Sequence, residues 1–214
     1  MKRALLSAAG FSIMVLVANA THATPFEGEF TVTANDSSPG LEINTLPVVD
    51  GTDNNNDFSF SLIEGGDTTF DLFEIWTPES DVASGEDTVP KPIEVDFSFD
   101  VPPPPFGSTG EGETFGNRAL FGVFQNGEVT WDNPTSFTFG PIGDGLLEVV
   151  LSEETFNPGI FGLNEGRAAG ATVQATFTLQ KDATTVPVPA SFGLLGAGLA
   201  GLGLVARRRT NHKH

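Results

Sequence analysis

The sequence predicts an all-β protein, an antiparallel β-sandwich of jelly-roll-like form, and three observations predict it. Apolar and polar residues alternate along several short runs, clusters of Gly, Pro, Asn and Asp separate those runs, and no window between the termini repeats with a helical period. A period of two sends successive side chains to opposite faces, one toward a core and one toward water. Antiparallel sheets with one wet face read this way.

The runs follow in order. FEGEFTVTA (26–34) sets Phe26, Gly28, Phe30, Val32 and Ala34 against Glu27, Glu29, Thr31 and Thr33. FSFSL (58–62) and FDLFEIW (70–76) come next, and then IEVDFSFDV (93–101) alternates without a fault. LFGVF (120–124), VTW (129–131), SFTF (136–139), LLEVVLS (146–152) and ATVQATFTL (171–179) complete the set. Nineteen phenylalanines supply the core. Asn126–Gly127, between LFGVF and VTW, predicts a two-residue hairpin turn, because both residues tolerate positive φ. DNP (132–134) and GPIGDG (140–145) predict further turns. VDGTDNNNDF (49–58) and VPPPPFGSTGEGETFGN (101–117) read as loops, the prolines at 102–105 favouring extended polyproline backbone without ladder hydrogen bonds.

Charge is partitioned sharply. All 28 acidic residues lie between Glu27 and Asp182, where the basic residues are Lys91, Arg118, Arg167 and Lys181, a net charge of −24. Such a surface repels nucleic-acid phosphates and anionic headgroups, which excludes nucleic acid as a partner. It serves solubility, and it also suits divalent cations or a basic partner. With no cysteine, the body relies on core burial or a metal, and about 160 residues suffice for a core.

Both ends carry targeting patterns. Lys2 and Arg3, an apolar stretch at 4–17 and the small residues of ANATHA make residues 1–23 a secretory signal peptide, with cleavage after Ala20 or, slightly favoured, Ala23. The ectodomain then covers 24–185. Residues 190–206 are uncharged and glycine-rich; as a helix they span about 25 Å, somewhat less than the hydrocarbon core of about 30 Å. They lack the polar face a soluble helix needs. Arg207, Arg208 and Arg209 follow as a stop-transfer flank. The expected topology is one crossing, body outside and residues 210–214 in the cytoplasm.

Val186, Pro187, Val188, Pro189, Ala190 and Ser191, the apolar stretch and the arginine triplet together resemble the PEP-CTERM sorting signal in its Val-Pro-Leu-Pro-Ala form. Val188 and the tail TNHKH depart from that form. The resemblance implies a Gram-negative envelope protein, a single-pass precursor in the inner membrane that an exosortase recognises and cuts near 187–190. The body then passes to the cell surface or an exopolysaccharide matrix.

The body offers little chemistry. Histidine occurs only at His22, His212 and His214, which leaves Ser-His-Asp and Cys-His catalysis and His or Cys zinc sites without their residues. No phosphate-binding glycine loop is present. No catalytic residue is therefore expected. Glu153 and Glu154 represent a carboxylate-glycosidase alternative against ordinary solvated acids. Trp76 and Trp131 are expected in the core. Asp50, Asp53 and Asp57, with the asparagines between them, supply the hard oxygen donors of a Ca²⁺ loop, although an Asn/Asp-rich loop is ordinarily only a loop. The expectation is a non-enzymatic surface or matrix protein without a cofactor, against an adhesive module that binds glycan or Ca²⁺.

Overall fold

Alternation along the chain becomes two facing sheets in a computed structural model, which describes residues 22–34 and 39–184. The strands are β1 (Thr24–Ala34), β2 (Asn44–Pro47), β3 (Asp57–Leu62), β4 (Asp67–Trp76), β5 (Lys91–Val101) and β6 (Phe106–Ala119). They continue as β7 (Phe124–Trp131), β8 (Thr135–Phe139), β9 (Gly145–Leu151), β10 (Glu154–Ile160) and β11 (Ala171–Lys181). One sheet runs β10-β7-β6-β5-β1-β3 and the other β2-β4-β11-β9-β8, with antiparallel ladders throughout. This is the predicted antiparallel β-sandwich.

Inward positions follow the sequence pattern. Ile93, Val95, Phe97 and Phe99 of β5 are buried while Glu94, Asp96, Ser98 and Asp100 are exposed. Across the sandwich β11 buries Val173, Ala175, Phe177 and Leu179. Between them lies a phenylalanine cluster. Phe99 stacks on Phe106 with ring centroids 4.6 Å apart and meets Phe137 edge-on at 5.4 Å, and Phe177 meets Phe60 at 4.9 Å. Each buried ring contributes about 1.5–3 kcal/mol by burial, and each well-oriented pair adds about 0.5–1.5 kcal/mol.

Several expectations are corrected. Asn126 and Gly127 form no turn: they lie inside β7, opposite Asn117 and Gly116 of β6. The β6–β7 reversal falls instead within LFGVF, in a 3-10 turn at Leu120–Gly122. Residues 106–117, read as loop, belong to the 14-residue strand β6. Its inward side carries Gly110, Gly112, Thr114 and Gly116, so no apolar alternation marked it. Pro102–Pro105 make the β5–β6 reversal, with cis bonds at Val101–Pro102 and Pro103–Pro104, rather than an extended polyproline segment. Strands β2 and β10 had no counterpart in the pattern; β10 is broken by a register shift between Phe156 and Gly159, with Asn157 at φ 52°.

Antiparallel register divides the turns between two poles. Thr24, the β3–β4, β5–β6 and β8–β9 turns and the end of β11 share one pole. The opposite pole carries the 77–90 loop, the Leu120–Gly122 turn and the 161–170 loop.

Candidate functional site: the exit pole and the loops

The chain enters and leaves the sandwich at one place. Thr24 Oγ1 donates to Asp182 Oδ1 at 2.8 Å, and Ala183 N–H donates to the same oxygen at 2.8 Å. Asp182 N–H donates to Glu64 Oε2 of the β3–β4 turn at 3.2 Å. Thr184 fastens to Asp144 through its N–H, 3.1 Å from Oδ1, and through its hydroxyl. Those bonds, and secondarily the Lys181 ammonium 3.6 Å from Asp144, hold the Asp144 carboxyl below the usual carboxylate range. The segment that begins at residue 185 thus leaves a fixed point. Residues Val186–Ser191 and Arg207–Arg209, all but the last two residues of the signal peptide expected at 1–23, and the span expected at 190–206 lie outside the described residues. Among the described residues no helix is long and apolar enough to cross a membrane.

The 50–57 loop is organised around a cation remote in sequence. Arg167 grips Asp53 with two bonds, Nη1–Oδ2 at 2.9 Å and Nη2–Oδ1 at 2.7 Å, and gives its Nε–H to Glu74. The guanidinium holds the Asp53 carboxyl below its ordinary value, and the two carboxylates raise the arginine. Asn55 and Asn56 turn their amides to the carbonyls of Val49 and Phe30 at 3.2 and 3.1 Å. Asp57 opens β3, its N–H on Asn55 Oδ1 at 3.3 Å. Asp50 sits in the Val49–Gly51 turn, and its side chain is not among those described. Among the described residues no three Asp, Glu, His or Cys side chains converge to hold a metal.

A carboxyl pair that the sequence reading did not single out lies at the opposite pole. Asp87 is buried and accepts Ala83 N–H at 2.6 Å; Glu79 accepts Glu42 N–H at 2.6 Å and hydrogen-bonds Asp87. Burial raises the Glu79 pKa, the Glu42 N–H opposes that, and the Asp87 charge and hydrogen bond raise it further. No spacing announced this pair, because the 77–90 loop folds back on itself to make it. Glu153 and Glu154 stand consecutively at the β9–β10 turn. Trp131 is core, its Nε1–H on Ser152 O at 3.0 Å, whereas Trp76 is half-buried.

The outer face of the six-stranded sheet is the most acidic surface described. Glu94 of β5 stands directly opposite Glu111 of β6, and Glu113 and Asp132 line the same cleft. Like charges directly opposite on a sheet are destabilising. The phenylalanine core outweighs that repulsion.

Fold and exit pole together define a class: a β-sandwich body with a C-terminal segment that begins where the two chain ends meet. That segment, residues 185–209, matches the PEP-CTERM protein-sorting motif. That motif implies a protein exported to the envelope and processed by exosortase. No curated protein and no solved structure matches the chain.

Proposed function

We propose that the chain is a non-enzymatic surface or extracellular-matrix protein of a Gram-negative bacterium, associated with exopolysaccharide. In this reading residues 1–23 are a cleaved leader, and residues 190–206 hold the precursor in the inner membrane until exosortase cuts near 187–190. The observation that carries the reading is the sorting motif starting directly after Thr184, the last described residue, which Asp144 fastens to the body. Pro187 lies three residues beyond Thr184, at most about 11 Å of chain at 3.3–3.6 Å per residue. Cutting there leaves the Thr24–Asp182 closure intact, so the body is released folded. The lack of histidine between Glu27 and Asp182 supports a role without acyl-transfer chemistry.

Intact mass of the protein recovered from the envelope tests this. The expected species begins at Thr21 or Thr24 and lacks Arg207, Arg208 and Arg209. A steady-state mass that retains the arginines refutes exosortase release. Replacing Pro187 and Pro189 by alanine is expected to leave the body in the inner-membrane fraction.

A further inference from the structure

The pole opposite the exit carries an exposed apolar tip. Leu120, Phe121, Phe124, Ile160 and Phe161 are all exposed, with Phe121 at 107% and Phe161 at 81% of full accessibility. Ile160 pairs with Phe124 across β10 and β7, and Phe161 N–H donates to Val123 O at 2.7 Å, so two distant segments form one surface. The tip is held rather than loose. Leu120, Phe121 and Phe161 have φ of 47°, 59° and 62°, a left-handed backbone that is unfavourable for bulky residues and held by the surrounding structure. Buried Gln125 fastens the turn to the 77–90 loop by donating to Gly122 O at 3.2 Å and accepting Val82 N–H at 2.6 Å.

Two further observations say what the tip meets. In a body with 28 acids, residues 114–127 and 155–164 contain none. The segments that carry the apolar side chains hold no carboxylate, as suits a surface entering a medium of low dielectric, and Asp81 of the adjoining 77–90 loop is engaged by Gln125 Nε2 at 2.6 Å. The one charge in these segments is Arg118, whose guanidinium donates from Nη1 to Val82 O, lies against Gly122 with its other nitrogens and makes no ion pair among the described residues. We infer that the tip docks on a lipid surface, its apolar side chains entering the interfacial layer and Arg118 reaching a headgroup phosphate. A second copy is a poor occupant: two convex tips cannot envelop each other, and each body brings a net charge of −24. The tip lies about 45 Å from the exit pole, the length of the 14-residue strand β6 that joins them. While the C-terminal segment anchors the chain, the surface it reaches is therefore a second membrane. That orientation rests on the proposed anchoring, whereas the affinity of the tip does not.

The test uses the full chain held in phosphatidylcholine proteoliposomes, mixed with fluorescent protein-free phosphatidylcholine vesicles. The expected result is capture of the free vesicles, lost when Phe121→Asn and Phe161→Asn are combined, and weakened when phosphatidylglycerol replaces phosphatidylcholine in the free vesicles. Asparagine tolerates left-handed φ better than phenylalanine, so the variant should melt no lower than the parent, which separates lost docking from lost folding. Capture that survives the double substitution, or no capture by the parent, overturns the inference. Proteoliposomes that cluster with one another but ignore bare vesicles assign the tip to a second copy instead. Should the chain fail to float with its own vesicles, the anchoring reading fails by itself. Flotation of the soluble chain with phosphatidylcholine vesicles, parent against double variant, then decides the tip.

Discussion

A Cβ at Gly127 is the sharpest perturbation the sandwich offers. Built on the backbone, it would lie 2.2 Å from Phe156 Cε2 and 2.4 Å from Cζ, and that ring is fully buried over the glycine. Phe156 is the cross-strand partner of Gly127, and on the other side Gly116 of β6 faces the same glycine. The ring cannot move away without disturbing neighbours packed at core density, so Gly127→Ala should overpack the core by about 1–3 kcal/mol. For a body of this size each kcal/mol lowers the melting temperature by about 2–4 °C. Thermal unfolding followed by circular dichroism measures the shift. Phe156→Leu on its own should destabilise through the space it leaves. Combined with Gly127→Ala it should recover an interaction energy of about 0.5–2 kcal/mol, since the added methyl occupies what the ring gave up. A hairpin turn at Asn126–Gly127 would instead make the alanine variant mild and indifferent to residue 156. An alanine variant that melts with the parent, or strict additivity with Phe156→Leu, refutes the packing argument.

That packing also explains which parts of the fold were legible. Strand β5 announces itself because every inward position from Ile93 to Phe99 is β-branched or aromatic. Strand β6 lies next to it in the sheet, yet its inward positions include Gly110, Gly112 and Gly116 beside Thr114, and the space is filled by neighbours. A Cβ at these positions would meet Leu151 at 3.1 Å, the Trp131 ring at 2.5 Å and Val82 at 2.7 Å. Those side chains lie 19 to 41 residues away along the chain, beyond the reach of any periodicity. The same logic misplaced the turn: Asn-Gly favours a hairpin locally, but β6 and β10 on either side of β7 hold the pair extended. Apolar density in LFGVF was legible, but not that it faces outward. At the ends the position reverses, because a sorting signal is contiguous and read as linear sequence. The grip of Arg167 on Asp53 and Glu74, 114 and 93 residues away, required the fold.

Further outcomes follow from the loops and the charge. The raised Glu79 pKa means the folded state holds that proton more tightly than the unfolded chain, so its stabilisation is present below the ordinary glutamate value of about 4.3 and is lost as pH rises through the folded value. Glu79→Gln should therefore raise the melting temperature at pH 7 and flatten its decline from pH 4 to 7; an unchanged pH profile refutes the raised Glu79 pKa. Thr114 Oγ1 is buried without a hydrogen-bond partner among the described residues, so Thr114→Val should leave stability unchanged or raise it by about 1 kcal/mol, and a clear loss points to a further partner. Salt should stabilise the body by screening its net charge of −24. A dedicated Ca²⁺ loop would add binding energy beyond that screening, but Asp53 is committed to Arg167 and the Asn55 and Asn56 amides to backbone carbonyls. Millimolar CaCl₂ and NaCl of matched ionic strength should thus raise the melting temperature equally. A calcium-specific rise abolished by Asp53→Asn with Asp57→Asn would show that the loop gives up Arg167 to hold the ion.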